Sequence, residues 1–122
     1  MSGLYQIIDE SNFNEILKLP VAIIYITVDW SGQERISRSI IKEVLNKLDP
    51  KEIAIFEIDC SNQDKKYIGD WLTNQSKQLG HMYSNGYGET LLIKNGQVTD
   101  YIKYPGDLGI EETKVRIKQW LT

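Results

Sequence analysis

The hydrophobic pattern divides the chain into short apolar runs and longer segments at helical spacing. Val21-Ala22-Ile23-Ile24-Tyr25-Ile26-Thr27-Val28 is apolar on both faces and rich in β-branched residues, the pattern of a central buried strand. Glu52 to Asp59 repeats it through Ile53, Ala54, Ile55, Phe56 and Ile58. Between them, Trp30-Ser31-Gly32-Gln33-Glu34 breaks the first run and an amphipathic helix follows. Ile36, Ile40, Ile41, Val44, Leu45 and Leu48 supply its apolar face; Glu34, Arg35, Arg38, Lys42 and Lys47 cover the other, and Asp49-Pro50 ends it.

The flanking segments complete the alternation. Leu4 to Ile8 reads as a short strand, and Asp9 or Ser11 caps a helix through Phe13, Ile16, Leu17 and Leu19 that Pro20 stops. Ser61-Asn62-Gln63-Asp64 has the form of a capping box, with Asp where Glu is usual. The helix behind it buries Tyr67, Ile68, Trp71, Leu72 and Leu79, with Gly69 and Gly80 weakening its continuity. His81 to Gly88 is loop-like. Glu89 to Lys94 is a strand, Asn95-Gly96 a type I′ hairpin signal, and Gln97 to Tyr104 the returning strand. Pro105-Gly106 turns the chain, and a last helix presents Ile110, Thr113, Ile117, Trp120 and Leu121 on one side. The order is β-α-β-α-β-α-β-β-α. Strand–helix–strand units imply parallel pairing through right-handed crossovers, and the hairpin adds an antiparallel edge. The expectation is an α/β fold with a mixed central sheet of about five strands, flanked on both faces by four helices.

Composition narrows the chemistry. The 122 residues fit one domain, 1–122. A net charge of -3 leaves no basic excess for nucleic acid. The longest apolar stretch, Val21 to Ile26, is far short of the roughly 20 residues that span a bilayer, so no membrane partner is expected. Met1 to Ile8 lacks a basic start followed by an apolar run and a cleavage site. One Cys excludes an intrachain disulfide and, beside a single His, leaves no zinc ligand set. A lone thiol fits a reducing cytoplasm, and no metal or cofactor is expected.

The order of elements is that of the thioredoxin fold, and local motifs agree. Val21 to Gly32 resembles the thioredoxin strand that runs into Trp-Cys-Gly-Pro-Cys. Phe56-Glu57-Ile58-Asp59 resembles the family's third strand, and Thr90-Leu91-Leu92-Ile93-Lys94-Asn95-Gly96 is similar to its Pro-Thr-hydrophobic-Lys-Asn-Gly hairpin. Gly106 sits where the family keeps a Gly after the last strand. The similarity spans nearly the whole chain, except a longer stretch from Tyr67 to Tyr87.

The family's chemistry does not carry over. Its two cysteines align with Ser31 and Glu34, and the Pro between them with Gln33. Thiol–disulfide exchange needs a thiolate and a sulfur leaving group, which these residues lack. The family's buried Asp aligns with Tyr25 and its Lys partner with Ile55; the Pro that kinks the long helix is Ser39. The cis-Pro beside the disulfide aligns with Glu89, where a trans bond is expected because a non-Pro cis bond costs about 2.5–4 kcal/mol. The resemblance implies a domain that has left redox catalysis.

Other residues bear on function more weakly. Cys60 is either a small packing residue in a strand-to-helix turn or a thiol activated by the helix N-terminus. His81 stands without a second His or a carboxylate cluster and reads as an exposed loop residue. Ser31 with His81 lacks a nucleophile elbow. Asp9, Glu10, Asp59 and Asp64 are too scattered for a metal motif, and Trp71 and Trp120 fall on apolar helix faces. The family's substrate groove is framed by three loops, here Asp29 to Glu34, Tyr87 to Thr90, and Tyr104 to Asp107. The resemblance therefore places Trp30, Ser31, Gln33, Glu34, Tyr87, Glu89, Tyr104 and Asp107 at one tip, with Tyr83 close by. Aromatic anchors in a polar rim suit a protein partner, and Asp29, Glu34, Glu89 and Asp107 suit a basic segment of it. The reading is a binding module of adaptor, assembly-chaperone or toxin-neutralising type. The alternatives are a thiol-dependent redox or glutathione-binding protein using Cys60, and a structural subunit that dimerises through the edge strand Gln97 to Tyr104.

Overall fold

The computed structural model describes residues 5–7, 9–48, 53, 55–61 and 65–122. Its elements are β1 (Tyr5–Gln6), α1 (Glu10–Leu17), β2 (Val21–Thr27), α2 (Gly32–Lys47), β3 (Ile55–Asp59), α3 (Lys66–Gln75), a 3-10 helix (Leu79–Ser84), β4 (Thr90–Lys94), β5 (Gln97–Ile102), α4 (Pro105–Leu108) and α5 (Ile110–Leu121). They form one five-stranded sheet in the order β1-β3-β2-β4-β5. β3 runs parallel to β1 and β2; β4 is antiparallel to β2 and β5.

The apolar content of each strand sets its place. β2 has no polar face to give to water and takes the centre, its residues from Ala22 to Ile26 at most 1% exposed. The core divides across the sheet. On one face Ile24, Ile26, Leu91 and Ile93 meet Phe13 and Ile16 of α1, Ile68 and Leu72 of α3, and Leu79 and Met82 of the 3-10 helix. On the other, Ile23, Tyr25, Ile55 and Leu92 meet Ile41 and Val44 of α2 and Ile117 of α5. The β4–β5 turn carries Asn95 at φ 53° and Gly96 at φ 78°, the left-handed pair a type I′ hairpin requires.

The structure refines several sequence expectations. Asp9 caps α1, its carboxylate accepting the Asn12 amide at 2.7 Å, while Ser11 lies inside the helix. Of the expected Leu4–Ile8 strand, Tyr5 and Gln6 are extended; Leu4 and Ile8 lie outside the described residues, as do Asp49, Pro50, Glu52, Ala54 and the Asn62–Asp64 part of the capping box. Leu79 is not on the same helix as Tyr67. α3 ends at Gln75, and the 3-10 helix begins what was expected to be loop. The two glycines explain the arrangement. A Cβ on Gly69 would stand 2.6 Å from the Tyr83 ring, and one on Gly80 2.6 Å from Thr73 Oγ1, so both permit the 3-10 helix to lie directly on α3. Pro105-Gly106 is not only a turn: Pro105 opens the short helix α4, which raises the α-helices from the four expected to five. Among the described residues no helix is long and apolar enough to cross a membrane.

Ile24 is fully buried in the central strand, so Ile24→Ala leaves a cavity under α1 and α3. The expected loss is about 2–5 kcal/mol, read as a lower urea midpoint at unchanged m-value.

Candidate functional site

The C-terminal end of β2 delivers the chain into α2, and two polar residues are decisive there. Ser31 is the N-cap of α2, accepting the Glu34 amide at 3.3 Å. Its hydroxyl donates to the Gly86 carbonyl at 2.5 Å. Glu34, one turn on, is only 2% exposed. A buried carboxylate needs partners. Glu34 Oε2 accepts the Tyr25 hydroxyl at 2.5 Å and lies 3.3 Å from Arg38 Nε. Arg38 in turn reaches Glu57 Oε2 of β3 at 2.7 Å and Thr27 Oγ1, and Gln6 Nε2 donates to Glu57 Oε1 at 2.6 Å. One guanidinium thus serves two carboxylates under the N-terminal half of α2. Burial pushes the Tyr25 phenol up, with the hydrogen bond to Glu34 and its charge adding to the effect, so Tyr25 stays neutral. Burial pulls Arg38 down, but the charges of Glu57 and Glu34 outweigh it and its pKa rises.

This corrects the helix-face reading. Glu34 and Arg38 turn inward, and Ile36, assigned to the apolar face, is 53% exposed. Ser37 also points in and is fully buried. Its hydroxyl donates to the Tyr87 carbonyl at 2.6 Å and accepts the Gly106 amide at 3.0 Å. A single side chain of α2 therefore ties together the loop before β4 and the loop after β5.

Those loops build the groove. The Tyr87 and Tyr104 rings lie 5.2 Å apart at 42°, and Lys103 Nζ sits 5.6 Å from the Tyr87 ring centre. With Ile102, Asp107, Leu108 and Arg116 they enclose an open cleft of about 610 Å³. Trp30 stands beside the Tyr87 loop, 52% exposed. Gly86 must be glycine for this contact: at φ 81°, a Cβ would stand 2.8 Å from the Trp30 ring.

Glu89 is the other buried acid. The described residues contain no cis peptide bond, so the backbone entering Glu89 is trans. Its side chain is fully buried. Oε1 accepts the Tyr87 amide at 3.2 Å, while Oε2 has no hydrogen-bond partner. Burial pushes its carboxyl from 4.5 up to about 7, against weaker downward pulls from the Glu89 and Tyr87 amides, the Asn85 side chain and Lys103.

The expected tip residues thus separate into two groups. Tyr87, Tyr104 and Asp107 line one cleft, and Trp30 and Gln33 are exposed near it. Ser31, Glu34 and Glu89 are buried and present no side chain to a partner: Ser31 and Glu34 are hydrogen-bonded within the fold, and Glu89 is held through one oxygen by the Tyr87 amide. The expected acidic surface reduces to Asp29 and Asp107. Cys60 is fully buried in the core with Ile68 and Leu72, so its thiol does not meet solvent. His81 is exposed on the 3-10 helix, and the Ser31 hydroxyl proton goes to the Gly86 carbonyl. Among the described residues no group of three or more His, Cys, Asp or Glu could hold a metal ion. Arg38, Glu57 and Ser37 escaped the sequence reading. Their signals were a Glu–Arg pair at i,i+4 and a lone acid inside an apolar strand, which must find a cation.

Removing the shared cation tests the network. Arg38→Met leaves Glu34 and Glu57 buried without it and is expected to cost about 3–5 kcal/mol in urea unfolding. Tyr25→Phe removes one neutral donor and is expected to cost less, about 1–3 kcal/mol.

No family model and no curated protein matches this chain. Solved structures do. It is similar to a thioredoxin from Malassezia sympodialis at 13% identity and TM-score 0.72, covering 100% of this chain and 94% of that one. It is similar to the zinc-bound form of human ERp44 at 16% identity and TM-score 0.70, covering 96% of this chain and 32% of that one. A thioredoxin from Trypanosoma brucei brucei matches at 12% identity and TM-score 0.67, over 95% of this chain and 92% of that one. Such identities speak for architecture alone, and they agree with the strand order and pairing above: the chain has the thioredoxin fold, with no Cys-x-x-Cys motif in its sequence.

Proposed function

We propose that this domain is a protein-binding module that has given up dithiol chemistry and keeps the loop-framed face as a docking surface. The observation that carries the reading is the fate of the two positions that hold cysteines in thioredoxins. Ser31 and Glu34 are both committed to internal hydrogen bonds, whereas Trp30, Tyr87 and Tyr104 remain at the surface beside them. Large aromatic side chains around an open cleft are the usual anchors of a protein interface. The sign of charge no longer selects a basic partner. Asp107 shares the cleft with Lys103 and Arg116, so recognition rests on shape and aromatic contact. Adaptor, assembly-chaperone and toxin-neutralising roles all use a surface of this kind. Self-pairing through β5 is a weaker reading, because side chains already occupy that strand: the Val98 amide bonds Gln75 Oε1 at 3.1 Å, and the Tyr101 carbonyl accepts from Arg116 at 3.1 Å.

Two measurements test the reading together. In an insulin-reduction assay the protein is expected to give no turnover above buffer. With a purified partner, Trp30→Ala and Tyr104→Ala are each expected to weaken binding about 30-fold, as hot-spot anchors do, while Val115→Ala on exposed α5 changes nothing. Disulfide turnover that Cys60→Ser abolishes, or a partner indifferent to both aromatic variants, overturns it.

A further inference from the structure

Tyr87 is carried on a short loop between two glycines and over a buried acid. Gly86 at φ 81° and Gly88 at φ 74° flank it, both in the left-handed region where glycine moves freely. Hydrogen bonds hold the loop: Ser31 Oγ to the Gly86 carbonyl, Ser37 Oγ to the Tyr87 carbonyl, the Tyr87 amide to Glu89 Oε1, and Thr90 Oγ1 to the Gly88 carbonyl. Only the third ends on a group that titrates. Glu89 is fully buried and its Oε2 is unpartnered, an environment that suits a neutral carboxyl far better than a carboxylate, whose two oxygens both need donors.

The surroundings do not repair this. Glu89 precedes β4 on the sheet face of Leu91 and Ile93. The end of β5 brings Lys103, whose ammonium lies over the Tyr87 ring. The loop itself brings Asn85 and the Tyr87 amide. From β2 comes the Ile26 amide, spent on the Glu89 carbonyl at 3.0 Å. The layer on that face carries His81 and Tyr83 on the 3-10 helix and Lys66, Tyr67 and Asp70 on α3. Among all of these, only Lys103 acts on the Glu89 carboxyl as a favourable charge, and its pull is weaker than the effect of burial.

We propose that Glu89 is a proton-operated latch on the Tyr87 loop: the neutral carboxyl keeps the loop closed, and loss of its proton to solvent releases the loop about Gly86 and Gly88. The sign follows from linkage. In the closed loop the carboxyl holds its proton up to about pH 7; in an open, hydrated loop it gives it up near 4.5. Below the lower value both forms are neutral and the closed loop has its full advantage. Between the two values the closed loop loses ground by up to roughly tenfold per pH unit, and above the upper value the loss levels off. Tyr87 walls the cleft, so a ligand held there is held better in acid. That last step rests on the binding reading; the latch itself does not.

The experiment is an NMR titration of the full chain from about pH 4 to about pH 8.5, without any partner. It follows the Glu89 carboxyl carbon, the Trp30 indole signal, and the hydrogen-exchange protection of the Tyr87 amide, in the wild type and in E89Q. The carboxyl carbon is expected to titrate with a midpoint near 7. Protection of the Tyr87 amide is expected to fall by up to about tenfold per pH unit below that midpoint, with the Trp30 signal moving in step, and both are expected to stay level in E89Q. A Glu89 midpoint in the ordinary carboxylate range overturns the proposal in the wild type alone, even where E89Q fails to fold. So does Tyr87 protection that holds while Glu89 titrates, or that falls equally in E89Q.

Discussion

Arg38 is the residue on which the site depends. Two carboxylates, Glu34 at 2% exposed and Glu57 at 6%, are buried between α2 and the sheet, and one guanidinium answers both. An isolated carboxylate in such a place would take up a proton or force the helix off the sheet. With Arg38 between them, Tyr25 and Gln6 filling remaining lone pairs, the acids become struts that fix the rotation of α2 about its axis. That rotation sets where Ser31 and Ser37 point, and hence how the loops before β4 and after β5 are held.

One corner of a common scaffold is built from different side chains here. In thioredoxins this corner carries a reactive sulfur pair at the surface. Here the corresponding side chains face inward and are held by internal bonds, and aromatic rings lie at the surface beside them. A buried ion pair of this kind is weak support for stability, since apolar residues of equal volume often serve as well. Its value lies in geometry: Arg38 pairs with Glu34 on its own helix and with Glu57 on β3, and so ties α2 to the sheet.

Much of the architecture was legible in the chain. Doubly apolar runs located β2 and β3, Asn95-Gly96 located the hairpin, and the order of elements implied the sheet. The site was legible in its backbone positions but not in its orientation. Helical spacing points Ile36 inward and Glu34 outward, because the apolar pattern of one helix carries no information about the sheet beneath it. The sheet decided otherwise: Tyr25 and Glu57 stand opposite each other on β2 and β3, and they draw Glu34 and Arg38 toward them. The split of α3 from the 3-10 helix was hidden for a similar reason. Gly69 and Gly80 read as helix breakers, yet each serves a close approach between elements that only the folded chain brings together.

Ser37 carries a mechanical consequence. Its one oxygen joins the Tyr87 carbonyl to the Gly106 amide, so the two sides of the cleft share a pivot. Each side has its own bond to that oxygen. Ser37 is thus an anchorage that both aromatic walls share, and losing its hydroxyl would unmoor them together.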